Sequence, residues 1–93
     1  MTELDNYRKQ IDLIDKKLID LLADRFSFSS RIGEIKKEKE IPVLQANRWD
    51  DILASRKQYA LRTGLNEKFT VDFLQLIHDE SLRIQKVITG TPE

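Results

Sequence analysis

Residues 4–37 read LDNYRKQIDLIDKKLIDLLADRFSFSSRIGEIKK, and the fold follows from how the apolar side chains recur along them. Leu4, Tyr7, Ile11, Ile14, Leu18, Leu21, Arg25, Phe28, Ile32 and Ile35 succeed one another in alternating steps of three and four. That spacing draws a single stripe along an α-helix, the seam of a helix that lies against a partner. Thr2 with Asp5 makes a capping-box-like pair, so the predicted helix runs from residue 2 to about Lys39, and Pro42 within Glu40 to Leu44 ends it. At 1.5 Å per residue, about 37 residues make a rod of roughly 55 Å, whereas a compact chain of this length has a radius of gyration near 12 Å. The rod outgrows its own monomer, so the pattern predicts an antiparallel pair of chains. One run opposes this: Phe26-Ser27-Phe28-Ser29-Ser30, poor helix formers beside Gly33, is where the rod would break.

Outward from this helix, the spacing predicts a second over about 46–63, with Gly64 as its left-handed C-terminal residue, and a third over about 67–89 behind Asn66 as N-cap. Residues 90–93 read as a frayed tail. Only three glycines and two prolines interrupt the 93 residues and no strand-like alternation occurs. The expected architecture is all-α: one domain over 1–93, with one long and two shorter helices per chain in an intertwined homodimeric bundle.

Composition narrows the function. Sixteen Lys and Arg balance sixteen Asp and Glu, so the chain lacks the positive field that holds nucleic acid or an anionic membrane. There is no cysteine, and the single histidine, His78, cannot build a metal site alone. No apolar run nears the ~20 residues of a membrane span and residues 1–8 hold no signal-peptide core, so the expected location is the cytoplasm.

Arg25 interrupts the apolar stripe at its centre, and a guanidinium there needs an anionic partner. Either a carboxylate of the chain, such as Asp24 or Glu80, or a bound anion fills that need. Ser29, Ile32 and Lys36 follow Arg25 on the same face, so Lys36 is a second cation there or one more lysine of a solvated run. Arg8 lies 17 residues before Arg25, about 25 Å along one helix. It balances Asp5 or Asp12, or in an antiparallel dimer approaches Arg25 of the other chain. In the third helix Ser81 and Gln85 share a face with Leu74, Ile77, His78 and Ile88, as pocket lining or as amphipathic edge packing. Arg48 reads as a surface residue, His78 as a partly exposed helix residue rather than a general base, and Trp49 and Tyr59 as core or dimer-interface anchors.

The segments Arg8-Lys9-Gln10-Ile11-Asp12-Leu13-Ile14-Asp15, Leu21-Leu22-Ala23-Asp24-Arg25, Ile32-Gly33-Glu34-Ile35-Lys36 and Pro42-Val43, then Arg48 and Ser81 with Gln85, resemble the pattern of the all-helical chorismate mutases. The likeness spans about Leu4 to Ile88. It implies an intertwined dimer with two sites that rearranges chorismate to prephenate, in the biosynthesis of phenylalanine and tyrosine, without metal or cofactor. By residue-by-residue transfer, Arg25 and the neighbouring subunit's Arg8 would bind the substrate carboxylates. Lys36 and Gln85 would hydrogen-bond the ether oxygen of the breaking bond, Ser81 would assist a carboxylate, and Arg48 would order the loop and the hydroxyl end of the ligand.

Two positions depart from the commonest pattern of that family. Gln45 stands where an acid often precedes the helix-two arginine, and Trp49 where a glutamate often follows it, with Asp50 only after it. Arg48-Trp49-Asp50-Asp51-Ile52-Leu53 resembles a branch joined to the first synthase of the shikimate pathway. Recognition of the ring hydroxyl then falls to Asp50, if the helix start shifts, or to the backbone near Gln45. The reaction is a unimolecular pericyclic shift, so the residue types suit it: cations grip a dianion in its compact conformer, and donors meet charge growing on the ether oxygen. Three other readings fit less closely: an isochorismate pyruvate lyase with a similar cationic pocket, a prephenate-sensing module that regulates an associated synthase, and a dimerising scaffold or helix-turn-helix DNA binder.

Overall fold

The computed structural model describes residues 2–91, which form three helices: α1 (Glu3–Lys39), α2 (Ala46–Arg62) and α3 (Glu67–Thr89). Thr2 is the N-cap of α1. Its hydroxyl accepts from the Asp5 amide at 3.1 Å, and its own amide donates to the Asp5 carboxylate at 3.4 Å, which closes the capping box. The helix runs without a break through Phe26–Ser30. Ser29 and Ser30 keep their hydroxyls bonded to carbonyls one turn back, at 3.3 Å each, so these poor helix formers are absorbed rather than expelled. Glu40 ends α1 in the left-handed conformation, φ 56°, just ahead of Pro42.

Thr63, predicted as the last residue of the second helix, is its C-cap, and Gly64 follows at φ 88° as expected. Asn66 caps α3 by accepting from the Phe69 amide at 2.9 Å. Gly90 ends α3 as a left-handed cap, so the tail expected to fray begins in an ordered position, and Pro92 and Glu93 lie outside the described residues.

Among the described residues α1 packs on α3 and α2 packs on α3, with no packing of α1 on α2. The stripe of α1 that faces α3 is Leu22, Phe26, Ser29, Gly33 and Lys36, which with Ser30 are the positions of the helix shielded from solvent. It sits one residue over from the apolar seam of Leu21, Arg25, Phe28, Ile32 and Ile35. Before Leu22 every described residue of α1 is exposed. Leu4, Ile11, Ile14 and Leu18 therefore remain 49–56% exposed, and this part of the seam is covered by nothing among the described residues.

The chain extends 56 × 24 × 18 Å with a radius of gyration of 16.7 Å, well above the roughly 12 Å of a compact chain. No large described side chain is fully buried. Tyr59, expected as a core or interface anchor, is 68% exposed and so is not a core residue of the chain, because its face of α2 turns away from α3. No helix among the described residues is long and apolar enough to cross a membrane.

Gly33 sets the distance between α1 and α3. A Cβ there would lie 3.2 Å from the Gln85 Cα and from Ile88 Cδ1. Backbone cannot yield as a flexible side chain does, so a larger residue must push α3 away. Gly33→Val is expected to destabilise the fold by about 1–3 kcal/mol, the usual range for overpacking. Urea unfolding checks it, and a wild-type midpoint would show that the helices do not meet at Gly33.

Candidate functional site

The α1–α3 contact and α2 as far as Arg56 border an open cleft of about 820 Å³. Arg25, Ser29 and Lys36 reach it from α1, His78, Ser81 and Gln85 from α3, and Arg48 and Arg56 from α2. Steps of three and four on two packed helices converge, so residues far apart in sequence meet. The Arg25 guanidinium donates to Ser81 Oγ at 2.9 Å, and the Ser29 and Ser81 hydroxyls lie 2.9 Å apart.

Further along the same groove, Lys36 Nζ donates to the Val43 carbonyl at 2.6 Å and to Gln85 Oε1 at 2.8 Å. An ammonium only donates, so this contact fixes the orientation of the Gln85 amide, with Oε1 toward Lys36 and Nε2 left as a donor. Lys36 itself has three N–H groups, of which two are used. One ammonium N–H and both N–H groups of the Gln85 amide thus remain at the pocket.

The electrostatics are those of an anion site. Four cationic side chains, Arg25, Lys36, Arg48 and Arg56, face one carboxylate, Asp51. Among the described residues no carboxylate pairs with Arg25. Glu80, one of the two intramolecular partners suggested by sequence, is held by Arg83 instead. Partial burial pushes the Arg25 pKa down, and the nearby charges of Arg56 and Arg48 push it the same way. Burial also lowers that of Lys36. Cations held together at the expense of their own solvation favour the approach of a negative ligand.

Of the residues singled out by sequence, Arg25, Lys36, Arg48, Ser81 and Gln85 line this one pocket, and Arg8, on the unpacked part of α1, does not. Arg48 is exposed, as expected of a surface residue, yet it borders the pocket. Asp51 rather than Asp50 lines it beside Gln45, because one residue along a helix turns a side chain by about 100°. Arg56 went unnoticed in the sequence, although Arg48, Ile52 and Arg56 stand four apart on one stripe. The tie from Lys36 to the Val43 carbonyl had no sequence signal, since a backbone acceptor is the same at every residue. Among the described residues no three His, Asp or Glu side chains gather in a way that could hold a metal ion.

The family model for type II chorismate mutases matches residues 7–86, a span that takes in every pocket residue named above. The chain belongs to the type II chorismate mutases. Among similar proteins, the T-protein of Enterobacter agglomerans is 36% identical over 81 residues, 87% of this chain and 22% of that protein. The 4-amino-4-deoxychorismate mutase of Streptomyces venezuelae is 28% identical over 92% of this chain and 84% of its own length. The chorismate mutase of Methanocaldococcus jannaschii is 27% identical over 90% and 85%. This mutase-family chain thus spans about a fifth of the first relative and most of the other two.

A small dicarboxylate such as malate is expected to raise the melting temperature of the wild-type chain, because a ligand that binds only the folded state stabilises it. Arg25→Ala should lose most of that shift. Equal shifts in the two proteins would place the anion elsewhere.

Proposed function

We propose that the chain is a chorismate mutase that converts chorismate to prephenate by intramolecular Claisen rearrangement, in the cytoplasm, as a step toward phenylalanine and tyrosine. The observation that carries this reading is the pair of donors left at Lys36 and Gln85 within a pocket of unneutralised cations. Arg25, with Ser81 beside it, takes one carboxylate of the substrate, and Arg48 orders the loop and the ring end. Lys36 and Gln85 Nε2 converge on the ether oxygen, where negative charge grows as the bond breaks. Donors already held in place stabilise that charge without reorganising, which lowers the barrier more than it tightens substrate binding.

Arg8 completes the site from a second chain. Its distance from the pocket along α1 and the bare seam beside it both support an antiparallel homodimer, since pairing two such stripes removes the exposed leucines and isoleucines from water. No proton moves in this reaction, so the two retained donors need only stay protonated. The chain acts alone or joined to a shikimate-pathway synthase.

A second reading has a specific observation behind it. A relative named 4-amino-4-deoxychorismate mutase covers most of this chain, and Asp51 offers a carboxylate at the pocket that an ammonium substituent would meet. Comparing kcat/KM for chorismate and its 4-amino analogue separates the two readings. Salicylate release from isochorismate would instead mark a lyase, and negligible turnover with tight prephenate binding a regulatory module.

In a chorismate assay, Arg25→Ala and Gln85→Ala are expected to stay dimeric and to lose at least about tenfold in kcat/KM, a modest floor for removing a charge-stabilising group. Wild-type rates in both would overturn the assigned site. The rate should be flat across neutral pH. His78 is held below its ordinary range and stays neutral there, and Lys36 stays charged. It should fall on the alkaline side, at a lower pH than an exposed lysine would give, because burial lowers the Lys36 pKa and the neutral amine has no charge for the ether oxygen. A rate that rises as pH climbs would exclude the Lys36 ammonium as the donor.

A further inference from the structure

The start of α2 lacks the usual local fastenings. Its N-cap, Gln45, makes no side-chain hydrogen bond, and the first turn holds no acid to meet the helix dipole. Nor does α2 pack on α1. Yet this turn carries Arg48 to the pocket. From Leu44 to Asp51, Trp49 alone is shielded from solvent. Its ring lies face to face with the His78 imidazole, centroids 4.0 Å apart and planes 19° from parallel. His78 sits on α3 one turn before Ser81, on the face that lines the pocket. The stack therefore joins the first turn of α2 to the helix that carries Ser81 and Gln85.

We infer that the Trp49–His78 stack is a positioning clasp, which holds the first turn of α2 against α3 and through it keeps Arg48 at the pocket. Both rings border the pocket, and each spends a face on the other. The pair acts through Arg48, and its loss weakens substrate binding more than it slows the bound substrate. A planar neutral ring is what the contact uses, and burial, helped by the charge of Arg25 against the opposing pull of Asp79, keeps the imidazole neutral. The inference rests on the pocket being the substrate site, but the stack itself can be tested without turnover.

Trp49 is the sole tryptophan of the chain, so its fluorescence reports the clasp directly. His78→Ala should shift the emission to the red and increase quenching by acrylamide, while His78→Phe, which keeps a ring face, should leave both near wild type. With chorismate, His78→Ala should raise KM about tenfold and change kcat less than about threefold, and His78→Phe should stay within about twofold on both. In an Arg48→Ala background, His78→Ala should add little, as for two residues acting through one contact. Unchanged emission in His78→Ala would show that there is no clasp. Equal impairment of the Phe and Ala variants would show that the imidazole nitrogens contact the ligand, and full additivity with Arg48→Ala that the stack does not act through Arg48. Each of these outcomes overturns the inference. If the wild-type chain does not turn over chorismate, the functional reading fails while the emission measurement still decides the clasp.

Discussion

The first helix is too long for the chain that makes it. Its C-terminal half finds α3 through Leu22, Phe26, Ser29, Gly33 and Lys36, and its N-terminal half finds nothing within the described chain. A stripe of leucine, isoleucine and tyrosine half open to water works against folding unless another surface covers it. Small single chains are already marginal because they bury a lesser share of their surface. The same helix supplies both the uncovered stripe and Arg25 at its centre. What stabilises the molecule and what forms its site are thus demands on one element.

The pocket gathers positive charge that the rest of the chain does not offset locally. Arg25 and Lys36 give up part of their solvation and receive hydroxyl, amide and carbonyl oxygens in return, not a carboxylate. That arrangement is less favourable when empty than when an anion enters, which suits the proposed binding of a doubly charged substrate and stabilisation of further negative charge. The short Gly33 crossing serves the same end by letting α3 approach closely enough for Gln85 to meet Lys36. A zero net charge for the chain as a whole says nothing about this, because Asp51 is the one acid among the residues that line the pocket.

Much of this was legible in the residues themselves. Capping pairs, the proline after Lys39 and the left-handed glycine after α2 located the helices, since each acts over three or four residues and leaves a local signature. The face shared by Ser81 and Gln85, and that shared by Arg25 and Lys36, followed from the helical repeat. The stripe that meets α3 was missed because it contains Ser29, Gly33 and Lys36, small or polar residues that hydropathy does not flag. Asp51 was missed by one position, because a pocket between helices depends on rotation about the helix axis to within a fraction of a turn. The Trp49–His78 stack was out of reach, being a contact between residues 29 apart whose types fit many other roles.

In the proposed dimer each site is built by two chains, with Arg8 of one serving Arg25 of the other. Mixing two inactive variants after joint unfolding and refolding tests it most directly. Arg8→Ala chains and Arg25→Ala chains each make defective sites alone, but a mixed dimer holds one site with both arginines intact. Random pairing in a symmetric dimer then predicts recovery of roughly a quarter of wild-type activity. Recovery of none, from a mixture shown to contain mixed dimers, would contradict the account.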